Sequence, residues 1–379
     1  MAGSEQTKPS GADEITMFLC GDVMTGRGID QILPNAGAPE LHEAYVSNAL
    51  TYVELAERTN GPIPRPVNFE YIWGDALAGL KRVAPDVRII NLETAVTRGD
   101  DWAPKGINYR MHPANIPAIT AAQIDCCALA NNHVLDWGEA GLEETLDTLH
   151  AAGVRTAGAG RKLDEALAPA MLTVAGKGRV LVFAFGCESS GIPREWAAQS
   201  DRPGIALLDD LSDSTVLRIA ERVRALKRPC DVVVVSIHWG GNWSYAIPAE
   251  QIRFAHGLIE QAAVDVVHGH SSHHVKGIEV HLERPILYGC GDLLSDYEGI
   301  TDHTDYRDDL GLVYFVTVQA HSGCLQRFEM TPTRLRRFRI NRASPAEAHW
   351  LWKLLRRESA ALGVQAVLRP DGQLQLHWS

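Results

Sequence analysis

The chain has 379 residues, 45% hydrophobic and 22% charged, with a formal net charge of −11 and a mean hydropathy of −0.11. That balance excludes a disordered chain and leaves length for one large core or two ordinary ones. It also excludes a general nucleic-acid binder, since no basic stripe is available to neutralise phosphates, although a bound divalent cation could reverse the sign locally.

Residues 1–14 are polar, lack an apolar signal-peptide core and are expected to form a flexible leader. No run of ~18 apolar residues occurs, so no membrane span is predicted. The seven cysteines are an odd number, mostly embedded in apolar runs and without a CxxC pair. They read as reduced, buried thiols of a cytoplasmic protein.

Ile15–Cys20 is an apolar run of buried-strand type, leading into Gly21-Asp22 and then Gly26-Arg27. A carboxylate beyond a strand end is an α/β active-site layout, although a helix N-cap would use Asp22 equally well. Residues 31–75, rich in Pro, Asn, Gly and aromatics, suggest an insertion or lid with a short helix around 41–58. Val87–Ile90 is the second strand, and Glu93 follows it as Asp22 follows the first. Ile124–Ala130 is the third, with Asn131, Asn132 and His133 at its tip; a turn favouring Asn is the alternative there. Leu142, Leu146 and Leu149 share one face of a helix over 141–152.

Short strands are expected at 154–157, 171–174 and 179–185, then a polar loop over 187–201 and helices over 214–225 and 248–263. Cys230–Ile237 is the most β-branched run and predicts a central strand buried on both faces, ending at His238 and Trp239. Trp239 and nearby Trp243 read either as packing or as surfaces for substrate. Pro285–Tyr288 is a further strand, and Asp292 and Asp296 beyond it read as partners orienting imidazoles or as helix caps. Segments 312–319, 325–331 and 335–339 alternate as antiparallel strands. A helix over 345–362, with Arg356 and Arg357 on a solvated face, and a strand-like tail at 374–378 close the chain.

The densest chemistry follows the apolar run Val264–Val267, where His268, His270, His273 and His274 put four imidazoles into seven residues. Imidazole is the commonest metal ligand, and packing alone gives little reason for such a cluster at a strand end. Gly269 is read as the sharp turn that lets the rings converge; a solvated His-rich loop is the alternative.

Together, the blocks GDVMTGR, NLET, ANNHVLDWG, SIHWGGNW, VVHGHSSHHVKGIE and LYGCGDLLSDY resemble the capsule poly-γ-glutamate synthesis family of the CapA type. That family is similar in fold to the calcineurin-like metallophosphatases. The resemblance implies an α/β fold, a four-layer α/β/β/α sandwich over residues 15–340, with 341–379 packing on the same domain. It implies divalent metal held by Asp22, Glu93, Asn132, His238, His270 and His273. His133 would be the proton donor beside Asp22, and Arg27 or His274 would hold an anionic group, with Asn131, Trp239 and Trp243 on the substrate side. This sequence departs from the metallophosphatase pattern in three places. Val23-Met24 stand where Asp-x-His would supply an imidazole, Glu93 replaces an Asp, and Ser271-Ser272 stretch the final His pair.

The oxygen and nitrogen donors suit Mn, Zn or Fe, as one or two ions. The implied activity is hydrolysis or transfer at a phosphoester or glutamyl amide bond, on a peptide or an anionic small molecule. The alternatives are a metal-independent acid/base epimerase of modified-peptide biosynthesis and a non-catalytic binder of a peptide or capsule precursor that partners a synthase. The sequence leaves the oligomeric state open.

Overall fold

The computed structural model describes residues 11, 13–300 and 303–378, so most of the expected leader lies outside the described residues. Strands β1 (Glu14–Val23), β2 (Val87–Leu92), β3 (Cys126–Ala128) and β4 (Arg155–Ala157) run parallel, side by side. A second sheet holds β5 (Ala170–Val174), β6 (Gly178–Gly186), β7 (Asp231–His238), β8 (Val266–His270), β9 (Ile278–His281) and β10 (Arg284–Leu287). Its order is β9-β10-β8-β7-β6-β5, with β6, β7, β8 and β10 parallel. The chain then returns to the first sheet with β11 (Asp292–Leu294), parallel to β1. Antiparallel strands β12 (Leu310–Gln319), β13 (Leu325–Leu335), β14 (Ile340–Arg342), β15 (Val364–Leu368) and β16 (Leu374–Trp378) extend that sheet.

Strand period explains how the sheets face each other. Leu181 and Phe183 of β6, Val233 and Val235 of β7 and Val267 of β8 pack on helices at Asp213–Leu226 and Ala249–Ala262. The alternate residues Val180, Val182, Val232, Val234 and Val266 join the core shared with Ile15, Met17 and Leu19 of β1. Both faces of β7 are therefore buried, as its β-branched run predicts. Helices at Gly138–Ala151 and Pro345–Glu358 pack on the first sheet's side, which completes the α/β/β/α layering. The parity has a chemical consequence. Ser236 and His238 continue the even-numbered face of β7, and His268 and His270 that of β8, so all four side chains enter the seam between the sheets.

Several expectations need correction. The helix expected around 41–58 occupies Leu50–Asn60. Of the strand expected at 335–339 only Leu335 is one, as the end of β13: Arg337 and Phe338 take φ of 57° and 51°, and both backbone N–H groups donate to the Glu298 carboxylate. The buried acid captures that turn, and strand geometry resumes only at Ile340. Cys230 is exposed and Cys324 half-buried, while the other five cysteines are buried; all seven are free. Arg356 and Arg357 are exposed, as expected, and their guanidinium groups also lie 4.8 Å from the Trp352 ring and 5.0 Å from the Tyr245 ring. Residues 364–378 form a hairpin that pairs with β13, so the tail completes the first sheet. Among the described residues, no helix is long and apolar enough to cross a membrane.

Candidate metal centre

The carboxyl ends of the parallel strands meet at one edge of the seam, where ligands of α/β sheets bind. In register, Asp22 of β1 lies between Asn91 of β2 and Asp292 of β11. Residues in register share a face, so three polar side chains point together. Gly21 makes the approach possible: a Cβ there would stand 1.5 Å from the Gly291 carbonyl oxygen. Across the seam, His238 and His270 are themselves in register on β7 and β8.

The side chains converge on this alignment. Asp22 Oδ1 accepts from Asn91 Nδ2 at 2.7 Å, and Asp22 Oδ2 accepts from the Ser271 backbone N–H at 3.1 Å. His270 Nδ1 stands 3.8 Å from Asp22 Oδ1 and 2.8 Å from His238 Nδ1. His238 Nε2 meets Asn132 Oδ1 at 3.0 Å. Glu93 Oε1 is 3.8 Å from both His133 Nε2 and His238 Nε2. On the other flank, His273 Nδ1 lies 3.0 Å from Asp292 Oδ1. Two ligand groups result, Asp22–His238–His270 and Asp22–His273–Asp292, and they share Asp22.

Burial and like charge act on this cluster in one direction. Burial, then the neighbouring Asp292 carboxylate, pushes Asp22 up to about 7. Glu93 is pushed up by burial and then by Asp22 and Asp292. Burial holds His133 down to about 4 and His238 and His270 well below the ordinary imidazole range. His273 is the exception: burial lowers it, but the carboxylates of Asp292, Asp22 and Asp308 together raise it. The buried oxygens Glu93 Oε2 and Asp292 Oδ2 have no hydrogen-bond partner. Imidazoles held below their ordinary range beside carboxylate oxygens without donors supply the nitrogen and oxygen donor types that a divalent cation takes. The residues present therefore fit such a group.

The structure brings Asp22, Glu93, Asn132, His133, His238, His270 and His273 together. Four other expected site residues have different employment. Arg27 is buried in an ion pair, with Nη2 2.5 Å from Asp296 Oδ1 and Nη1 2.9 Å from Glu43, so no free cation faces the centre there. Asn131 is consumed by Asn91, the Leu92 carbonyl and the His133 backbone N–H. Trp239 is 2% exposed, stacks on Tyr288 and donates Nε1 to the Tyr288 carbonyl, so it is packing. His274 sits among Trp243, Tyr245 and Tyr306, accepts from the Ser244 N–H and is driven by burial to about 4. A neutral ring held this way offers no charge to an anion. Trp243 is half-buried beside His273, at 5.3 Å between ring centroids, and stacks on His303 at 4.1 Å.

Gly269 does not make the turn expected of it, since it lies inside β8. A Cβ there would stand 2.7 Å from Trp239 Nε1 and 2.6 Å from the Leu287 carbonyl oxygen. The turn is at Ser271, whose φ of 96° is strained for a non-glycine residue and aims its N–H at Asp22. Of the two late aspartates, Asp292 meets an imidazole. Asp296 instead binds Arg27 and the Gly28 N–H, anchoring the short turn Arg27–Asp30.

Sequence reasoning missed Lys105. Its Nζ lies 2.8 Å from Asp136 Oδ1, donates to the Asn132 carbonyl and approaches His133 Nδ1 at 3.3 Å. A lone Lys in a polar loop gives no signal of this; only the Asp136 contact to His133 Nδ1, at 2.6 Å, marks the pair as one unit.

Comparison with known proteins accords with these motifs. The profile of the family described as bacterial capsule synthesis protein PGA_cap matches residues 16–297. The chain belongs to this family. It is similar to a probable polyglutamine synthesis accessory protein of Mycobacterium tuberculosis, 48% identical over 366 residues and 96% of each chain. It is also similar to the PGA biosynthesis protein CapA of Bacillus subtilis, 25% identical over 91% of this chain and 77% of that one. Among solved structures, one described as a novel phosphatase from Mycoplasma pneumoniae covers 84% of this chain and 93% of its own, with a TM-score of 0.47 and 10% identity.

Proposed function

We propose that this PGA_cap-family chain is a divalent-metal-dependent hydrolase or transferase acting at a phosphoester or glutamyl amide bond. The observation that carries the reading is the pair of donor groups sharing Asp22, flanked by the unpartnered oxygens of Glu93 and Asp292. Asp22, His238, His270, His273 and Asp292 would hold the metal, with Glu93 and Asn132 at its edge. Asp292 is added to the set expected from sequence. Bound divalent metal lowers the pKa of a coordinated water and polarises the scissile group.

The chain's own residues supply the rest. His133, oriented by Asp136 at Nδ1, presents Nε2 toward Glu93 and the centre, where a proton can pass to a leaving group. Asn91 and the Ser271 N–H fix the Asp22 carboxylate. Trp243 forms an aromatic wall beside His273. A cavity of about 320 Å³, lined by Asn60, Ser295, Tyr297, Arg307 and Asp308 among others, adjoins the centre through Tyr297, which meets the His273 ring edge-on at 5.2 Å. The relatives' names, polyglutamine synthesis accessory protein and PGA biosynthesis protein, support a glutamyl or glutaminyl chain.

The test is hydrolysis of phosphomonoesters and γ-glutamyl peptides by protein supplied with Mn²⁺ or Zn²⁺, compared with H270A and D292N. Turnover that falls at least roughly a hundredfold in both variants supports the reading. Turnover that persists in chelator, with exchange of a substrate Cα proton for deuterium, replaces it with metal-independent epimerisation. Tight peptide binding without turnover in any metal replaces it with an accessory binding role.

A further inference from the structure

Away from the seam, the helix Ala249–Ala262 and strand β9 bring together four ligand-type side chains. His256 and Glu260 are one helical turn apart, and Glu279 and His281 alternate onto one face of the strand, so both periodicities aim donors at the same place. The pairing is crosswise. Helix residue His256 puts Nε2 2.9 Å from strand residue Glu279, and strand residue His281 puts Nε2 2.7 Å from helix residue Glu260. The imidazole rings lie face to face, 3.8 Å between centroids and 4° from parallel. One donor atom each from His256, Glu260 and His281 falls within 4.8 Å of the others. Glu279 is steadied from behind, because its other oxygen accepts from Tyr288 Oη at 2.5 Å.

We propose that His256, Glu260 and His281, with Glu279 steadying His256 from the strand, form a surface site for Zn²⁺ or a similar transition ion, separate from the centre in the seam. Two imidazole nitrogens and a carboxylate match zinc, whereas calcium and magnesium sites are built from oxygen. Glu279, itself held by Tyr288, plays the orienting part that outer carboxylates play for metal-bound imidazoles. Strand β9 is the edge of the second sheet, so an ion here clips that edge to the helix covering it. The proposal rests on nothing assumed about the seam.

Full-length protein stripped with chelator is titrated with ZnCl₂ by calorimetry, beside H256A/H281A and E279Q, and crystals soaked in ZnCl₂ are measured at the zinc edge. Glu260 is exposed and the other three side chains are half-buried, so circular dichroism is expected to show the variants folded. Wild type should take up about one equivalent of Zn²⁺ more than H256A/H281A, and E279Q should bind that equivalent roughly 10- to 100-fold more weakly. The anomalous peak should sit within bonding distance of a ring nitrogen of His256 and of His281 and of the Glu260 carboxylate. Equal stoichiometry in wild type and H256A/H281A overturns the proposal, as does a soaked crystal without a peak there. Loss of zinc at the seam alone leaves the wild-type minus double-variant difference intact, so the two sites fail separately.

Discussion

Asp22 is where both donor groups of the seam meet, and its position follows from register rather than from its local sequence. Read alone, GDVMTGR suits a helix cap as well as a ligand; paired in register with Asn91 and Asp292, it cannot be a cap. Asp292 shows the limit of single-residue reading. It lies 270 positions from Asp22, and nothing local distinguishes it from Asp296, yet one joins the donor cluster and the other anchors Arg27. Arg27 was legible as a charged residue beside a site, but not as a buried one, because its partners Glu43 and Asp296 come from distant segments. Replacing it leaves two buried carboxylates unpaired. R27Q is therefore expected to lose about 3–5 kcal/mol in urea unfolding, with part of the loss recovered in R27Q/D296N. An R27Q protein of unchanged stability and lost activity would return Arg27 to the substrate.

Lys276 makes a pH-dependent prediction at the same scale. Burial lowers its ammonium from 10.5 to about 8. Between those values the unfolded chain holds a proton that the folded chain has shed, so unfolding free energy rises with pH across that window. The contribution is bounded by about 3 kcal/mol, and K276M should flatten the rise relative to wild type in urea melts from pH 8 to 10.5. Parallel slopes for the two proteins would contradict this placement of Lys276.

At the scale of elements, the parallel strands were readable because each is an apolar, β-branched run closed by polar residues. The helix Gly138–Ala151 was readable from its leucine spacing. What the pattern did not carry is which residue turns the chain. Glycine is the default at a sharp turn, yet Gly269 is extended and packed against Trp239, while Ser271 takes the positive φ. G269A is expected to force apart β8, Trp239 and the Leu287 carbonyl at a cost of about 1–3 kcal/mol, measured by thermal or urea unfolding. The segment 335–339 failed for a related reason. Its alternation is real, but the carboxylate of Glu298, supplied from outside, binds two successive backbone N–H groups and bends the chain before the strand can continue.

For the whole molecule, the two sheets bury a common core and leave their carboxyl edges to meet at one seam, so ligands far apart in sequence become neighbours. The layer order was legible through the resemblance of the motif blocks. The donor groups of the seam were only partly so, because convergence depends on which face of each strand points inward. Buried carboxylates that repel one another are costly until a cation joins them. Chelator is thus expected to lower the melting temperature and metal to restore it, by an amount that grows with the logarithm of metal concentration over Kd. The most direct measurement is anomalous scattering from crystals of protein purified without chelator, collected at the Mn, Fe and Zn edges. Metal peaks within bonding distance of Asp22, one toward His238 and His270 and the other toward His273 and Asp292, are expected. A seam that stays empty at every edge in protein that is fully active would contradict a metal-dependent centre.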